Sequence, residues 1–240
     1  MTKSDMCVSD HDKVAAGGND MDFKQFKNNK GNVTGLCVIV DCLAGKDDEV
    51  LAGLIENFKK GRPETVLPVS IGYIKTKGDY IIPMLIQDIA DVDDVIIEKI
   101  RSVPHICDVK SYIFNLHIPE EEEEAAEPSE PEDLLLAHGM IFIDVESGKD
   151  KHVLKTLAHS SDDDVKINFL GHCFHSFDCD MVAFVSAYNH NILFEWVRAK
   201  VRSIDGVLDT DVDAISGMEP LIFQDELEQL MEELAKLEGN

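Results

Sequence analysis

The sequence predicts an α+β protein built from one β-α-β-β-α-β unit used twice, with the two sheets paired inside a single chain. Three observations predict it. A block beginning near residue 41 recurs near residue 144. Within each block, strand-length apolar runs and helix-periodic segments follow one another in the same order. Between the blocks, residues 119–133 carry acids and no base, too polar a run to bury the surface that folding needs.

The repeat is explicit. Asp41-Cys-Leu-Ala-Gly45-Lys46-Asp47 matches Asp144-Val-Glu-Ser-Gly148-Lys149-Asp150 at an offset of 103, and Val50, Leu51 and Leu54 match Val153, Leu154 and Leu157. Further on the offset becomes 101: Lys99 to Val103 matches Lys200 to Ile204, Asp79 falls on Asp180, and Asp108 on Asp209. A duplication explains this register. The expected layout is a flexible arm over 1–34, a first unit over 35–118, an acidic linker over 119–134, a second unit over 135–218, and an acidic amphipathic helix over 219–240.

Taken in order, residues 35–40 and 140–143 are continuous apolar runs of strand length. Asp47 and Asp150 can cap the helices that follow, the first with Val50, Leu51, Leu54, Ile55 and Phe58 on its apolar face. Second strands are expected over 66–74 and 165–174, and third strands over 80–86 and 181–187. Second helices should span 92–103 and 192–204, with apolar residues three and four apart. Residues 109–114 and 207–215 close each unit. This order is the ferredoxin-like, split β-α-β arrangement, in which two helices cover one sheet face. The other face is bare, and a tandem copy can cover it, as in a dimeric α/β barrel formed within one chain.

Composition excludes several roles. With 22 basic and 47 acidic side chains the formal charge is −25. Nucleic-acid affinity is largely counterion release by Lys and Arg, so direct binding to nucleic acid is not expected. No apolar run is long enough for a membrane span. The N-terminal residues lack the apolar core of a secretory signal, and six Cys without a short-scaffold spacing suit reduced thiols in the cytoplasm.

Several motifs bear on chemistry. Asp79 and Asp180 occupy equivalent turns where a carboxylate could meet an ammonium group or bond its own backbone; Tyr80, Asp88 and Asn189 stand nearby. His172, Cys173, His175 and Cys179 place four metal-ligand types close together, but no standard finger has that spacing, and His172 and His175 would face opposite sides of a strand. No metal or other cofactor is assigned to them. Cys37 and Cys42 read as small buried hydrophobes. Gly45-Lys46-Asp47 and its copy lack the full phosphate-loop pattern and read as capped turns. Leu227, Leu230, Met231, Leu234 and Leu237 form one helical stripe, fit to pack on the sheets, to oligomerise or to meet a basic partner.

Thr76-Lys-Gly-Asp79-Tyr80 through Asp88, followed by Ile100-Arg-Ser-Val-Pro104-His through Ser111, resembles the effector domain of Lrp/AsnC-type transcription regulators. Block two is similar from Asp180 through Thr210. The family's turn glycine falls on Thr76 and Phe177 here, and its Pro-Gly pair on Pro104-His105 and Asp205-Gly206. The resemblance covers about 35–117 and 138–217 and omits the family's helix-turn-helix. It implies a non-catalytic sensor of a small molecule such as an amino acid, acting through assembly of its own copies or through a regulator partner. Lys75, Thr76, Lys77, Asp79 and Tyr80 would form the better ligand turn, and Asp180 would mark a degenerate one. A reading from another class stays open: dimeric α/β-barrel relatives include haem-handling enzymes resembling chlorite dismutases and sirohaem decarboxylases. Those need a haem-facing imidazole, which His105, His172 or His175 could offer.

Overall fold

The computed structural model describes residues 33–60, 65–74, 79–117, 137–174 and 179–221. The expected arm, linker and C-terminal helix lie outside the described residues except at their borders. Val33 and Thr34 already belong to the first strand, and the last strand runs to Pro220.

The first half contains β1 (Val33–Cys42), α1 (Asp47–Lys60), β2 (Val66–Pro68), β3 (Ser70–Ile74), β4 (Asp79–Ile86), α2 (Asp91–Asp94) and β5 (Ile106–His117). The second contains β6 (Ala137–Val145), α3 (Asp150–Ala158), β7 (Val165–Phe174), β8 (Met181–Ala187), α4 (His190–Ala199) and β9 (Val207–Pro220). Helix α1 starts on Asp47, Asp48 and Glu49 and ends on Lys59 and Lys60, the charge order that the helix dipole favours.

Three elements differ from the sequence reading, the simplest being the expected helix over 192–204, which ends at Ala199 and is followed by a 3-10 turn, Val201–Ser203. The expected strand over 66–74 is broken in two. Pro68 and Pro83 stand near the break, and neither has an N–H to donate to the ladder. Val69 N–H instead donates to Pro83 O (2.9 Å), β2 pairs with β4 alone among the described strands, and β3 pairs with both β4 and β9. The expected helix over 92–103 begins as α2 and then widens into a π-helical stretch, Val95–Ile100, with Arg101 N–H bonding Ile96 O at 2.8 Å. The wider turn brings both Val95 and Ile100, five residues apart, into the core.

Every strand pairing is antiparallel. Strand β1 lies between β4 and β5, and β6 lies between β8 and β9. Two seams join the halves: β5 to β7, from Ile113↔Phe174 to His117↔Leu170, and β3 to β9, from Ser70↔Pro220 to Ile74↔Ile215. Together these pairings close an antiparallel barrel.

Alternation along the strands sorts the apolar residues into three cores. Leu36, Val38 and Val40 face outward beneath α1 and α2, in a core with Leu54, Phe58 and Ile100. Ile141 and Ile143 face outward beneath α3 and α4, with Val153, Leu157 and Trp196. Cys37, Ile39, Tyr112, Phe114, Met140, Phe142, Val182, Phe184 and Ile215 point inward and fill the barrel. The sheet face left bare in each half is thus covered by the other half.

Candidate functional site

Repeated local geometry accounts for most of the duplicated motif residues. Gly45 and Gly148 have φ of +78° and +88°, which a glycine adopts without cost. Behind them Lys46 N–H bonds Leu43 O, and Lys149 N–H bonds Glu146 O. These are tight turns into α1 and α3, as the motif suggested, but the expected Asp cap of α3 is not made: Asp150 is the first helical residue, and Lys149 at the cap position makes no capping bond through its side chain.

The expected ligand turn divides. Lys75, Thr76 and Lys77 lie outside the described residues. Asp79 opens β4 and is buried. Its charge, after burial itself, helps push the Cys42 thiol up to about 12. Tyr80 points to the helix side, not into a turn. Its hydroxyl donates to Asp47 O (2.9 Å), and burial pushes the phenol up to about 12. Asp180 accepts the Val145 N–H at 2.7 Å. Asp88 accepts from Ala90 N–H, and Asn189 caps α4 by accepting from Ile192 N–H.

The His/Cys cluster is split by the strand on which it lies. His172 and Cys173 are consecutive on β7, so their side chains leave opposite faces. His172 pairs outside the barrel with Asp150 Oδ1 (3.0 Å), while Cys173 turns inward, 3.6 Å from Cys179. The imidazole bond is the main reason the Asp150 carboxyl sits below its usual range. His175 lies outside the described residues. Among the described residues no three His, Cys, Asp or Glu groups converge as a metal centre.

The polar groups that do converge inside the barrel were not singled out from the sequence. His138 of β6, Ser186 of β8 and Asn168 of β7 meet at one end of the interior. Asn168 is the extra residue of a bulge, since Ile167 pairs with Val185 but Phe169 with Phe184. Its Nδ2 donates to Ser186 Oγ (2.7 Å), and Ser186 Oγ lies 2.9 Å from His138 Nδ1. Ser186 is only 5% exposed. Burial, and then the charge of His190, holds the His138 pKa below the usual imidazole range. The His190 Nε2–H donates to Ile215 O (3.2 Å), since a carbonyl can only accept.

Beneath this cluster runs a ladder of rings, one from each of four neighbouring strands. Phe114 (β5) stacks on Phe169 (β7) at 5.7 Å, Phe169 on Phe184 (β8) at 5.3 Å, and Phe184 on His138 (β6) at 5.8 Å. All three pairs are within 13° of parallel. The ladder locks the imidazole plane from below while the hydroxyl fixes Nδ1. Two arrangements satisfy the chain. Either Ser186 donates to Nδ1 and Nε2 carries the proton, or Nδ1–H donates to Ser186 and Nε2 is a bare base. The hydroxyl couples the two. A few placed polar groups against aromatic walls is the general make-up of a small-molecule site. The one signal available beforehand was the pairing of His138 with Ser186 across β6 and β8, which needs the register to be seen.

No protein-family model matches this chain, and no curated protein matches it in sequence. Solved structures do share its fold. A "putative monooxygenase" from Lactobacillus acidophilus NCFM superposes with a TM-score of 0.52 at 11% identity, covering 79% of this chain and 97% of the other. A similar protein from Fusobacterium nucleatum gives 0.52 at 13%, with coverages of 78% and 94%. A point mutant of chlorite dismutase from Candidatus Nitrospira defluvii gives 0.54 at 10%, with coverages of 85% and 95%. These likenesses establish an α+β fold with an antiparallel barrel. They also correct the expectation of a non-catalytic sensor, and with it transcription regulation and effector binding: the motifs behind that expectation belong to a scaffold shared with proteins named for catalysis, so the scaffold gives no ground for excluding an enzyme.

Proposed function

We propose that this chain is an enzyme that binds a small molecule at the His138 end of the barrel and moves a proton through His138 Nε2. The hydrogen-bonded run Asn168–Ser186–His138 carries the reading. A neutral imidazole, its plane set by Phe184 and its Nδ1 set by a buried hydroxyl, is prepared to take a proton from a bound group and to return it. The scaffold shared with proteins named as a chlorite dismutase and as monooxygenases supports oxygen-handling chemistry. The finer architecture supported by the repeat is two tandem ferredoxin-like units, and the likeness to Lrp/AsnC effector domains is one of that unit. Reduced thiols suit a cytoplasmic site of action.

The haem that such a scaffold suggests does not fit the described residues. A haem needs a flat apolar slot beside a bare imidazole nitrogen. One face of His138 is occupied by Phe184, and Tyr112, Phe142 and Phe114 fill the interior beyond. On the helix side of β6, a Cβ on Gly139 would come within 2.6 Å of Leu193, so α4 already occupies that face. His172 and His105 lie outside the barrel, each beside a carboxylate, Asp150 and Glu49.

The test is NMR observation of the histidine rings in the full chain while a small-molecule library is screened. Hits are then assayed for turnover, including oxygen uptake. Ligands should move the His138 signals, and His138→Gln should lose turnover while still binding. Turnover that survives His138→Gln overturns the proposal.

A further inference from the structure

Cys173 and Cys179 meet inside the barrel wall at a Sγ–Sγ separation of 3.6 Å, and both are buried. Cys173 N–H bonds Asp180 O (2.8 Å), and Asp180 N–H bonds Ile143 O (3.0 Å), so the backbone holds the two thiols side by side from both neighbouring strands. The fold itself does not ask for sulfur there. In the strand register Ile74, paired with Asp79, stands where Cys173 stands beside Asp180, so the first copy fills the same interior place with a hydrocarbon side chain. A third thiol, Cys37, points into the same interior from β1.

We infer that Cys173 and Cys179 are a redox-modifiable pair that a peroxide converts to an intrachain disulfide. A peroxide first oxidises one thiol: its O–O bond breaks, an S–O bond forms, and water or an alcohol leaves. The second thiol then attacks the sulfenic sulfur, the S–S bond forms, and a water leaves with the second thiol's proton. Two thiols are oxidised by two electrons and one peroxide is reduced. The Sγ atoms must close from contact distance to about 2.05 Å, a movement within reach of side-chain rotation when the backbone already aligns them. The contact with Cys179, and then burial, holds the proton on the Cys173 thiol, so the pair reacts slowly at neutral pH and faster as pH rises. Once formed, the bond is screened from external thiols by the same burial. The exposed Cys107 has neither property.

The experiment uses the reduced full chain. It is treated with hydrogen peroxide, denatured, alkylated with N-ethylmaleimide and digested for mass spectrometry. The expected result is a Cys173–Cys179 linkage two hydrogens lighter than the dithiol, unalkylated, and restored to two alkylated thiols by dithiothreitol. Cys107 should be modified several-fold faster. In Cys179→Ser the linkage should vanish and Cys173 should take the label. If Cys173 and Cys179 are each still alkylated, or singly over-oxidised, when Cys107 is fully oxidised and the exposure has been extended tenfold, the inference is overturned. A linkage of either to Cys37 or to any other thiol overturns it as well.

Discussion

The carboxylate of Asp180 accepts the backbone N–H of Val145 at 2.7 Å, where β6 slips against β9 by one residue. The same slip occurs in the first half between Asp41 and Cys42, and Asp79 stands at the position equivalent to Asp180. Asp180 therefore closes a bulge. Asp180→Ala leaves a buried donor without its acceptor and should cost about 1–3 kcal/mol, read as the urea midpoint of unfolding. Asp180→Asn keeps an acceptor and should cost clearly less. It also removes one of the charges that, after burial, raise the Asp144 pKa, so Asp144 should titrate at lower pH in that variant.

Gly35 sits directly across from Phe114 on β5, and a Cβ there would lie 2.3 Å from the ring. The ring cannot retreat, because it is stacked on Phe169 within the ladder. Gly35→Ala should destabilise by about 1–3 kcal/mol through overpacking. Adding Phe114→Leu should recover part of that loss if the clash is the cause. A double-mutant cycle by thermal unfolding checks it.

His138 links acid stability to the candidate site. Its folded pKa is depressed by burial and by His190. Unfolding therefore releases the ring to a value near 6.5, where it takes up a proton that the folded chain resists. The stability held by the neutral ring is complete above that pH and is lost as pH falls through the folded value. Between about pH 7 and 5 the unfolding midpoint should fall in the parent and stay flatter in His138→Gln. Trp196, the sole tryptophan, is buried on the inner side of α4 and reports the transition by fluorescence. The carboxylates with lowered pKa, such as Asp150 and Glu49, keep their full contribution across this range and lose it only as pH falls further, through their folded values.

His105 is the one non-glycine residue with positive φ among those described, at +70°, and its counterpart Gly206 is at +100°. His105 O accepts from Leu43 N–H as Gly206 O accepts from Glu146 N–H, so the turn is the same in both halves. A left-handed non-glycine residue stores on the order of 1 kcal/mol or more. His105→Gly should leave stability unchanged or raise it by up to about 1 kcal/mol. Gly206→Ala should lower stability, since its Cβ would meet Lys149 Cβ at 2.6 Å. Thermal midpoints of the two variants decide the asymmetry.

Protein purified from its own cells should show no Soret band, and added haemin should give no complex whose spectrum depends on His138. An axial imidazole band that disappears in His138→Gln would mean that the ring ladder opens to admit a macrocycle.

The architecture was legible because duplication makes a register visible in one chain: Asp41/Asp144, Gly45/Gly148 and Asp79/Asp180 mark equivalent turns, and alternation of apolar residues marks the strands. The irregularities were less so. The break at Val69 depends on Pro68 and Pro83 standing near each other on neighbouring strands, and the π-helical turn depends on the depth at which Ile100 must pack. Neither is a local property.

The site shows the same division more sharply. Sequence reasoning favoured Lys75 to Tyr80, clustered along the chain, and weighed His172 to Cys179 without assigning them a ligand; on a strand, neighbours in sequence such as His172 and Cys173 leave opposite faces. His138, Asn168 and Ser186 are far apart in the chain and belong to no motif. The sequence by itself determined the repeat, the strand and helix order, the glycine turns and the acidic stretch between, since these follow from local periodicity and from the duplicated motifs. Only the tertiary structure decided which polar groups meet, because register across β6, β7 and β8 and the closure of one half on the other place them on a common interior face.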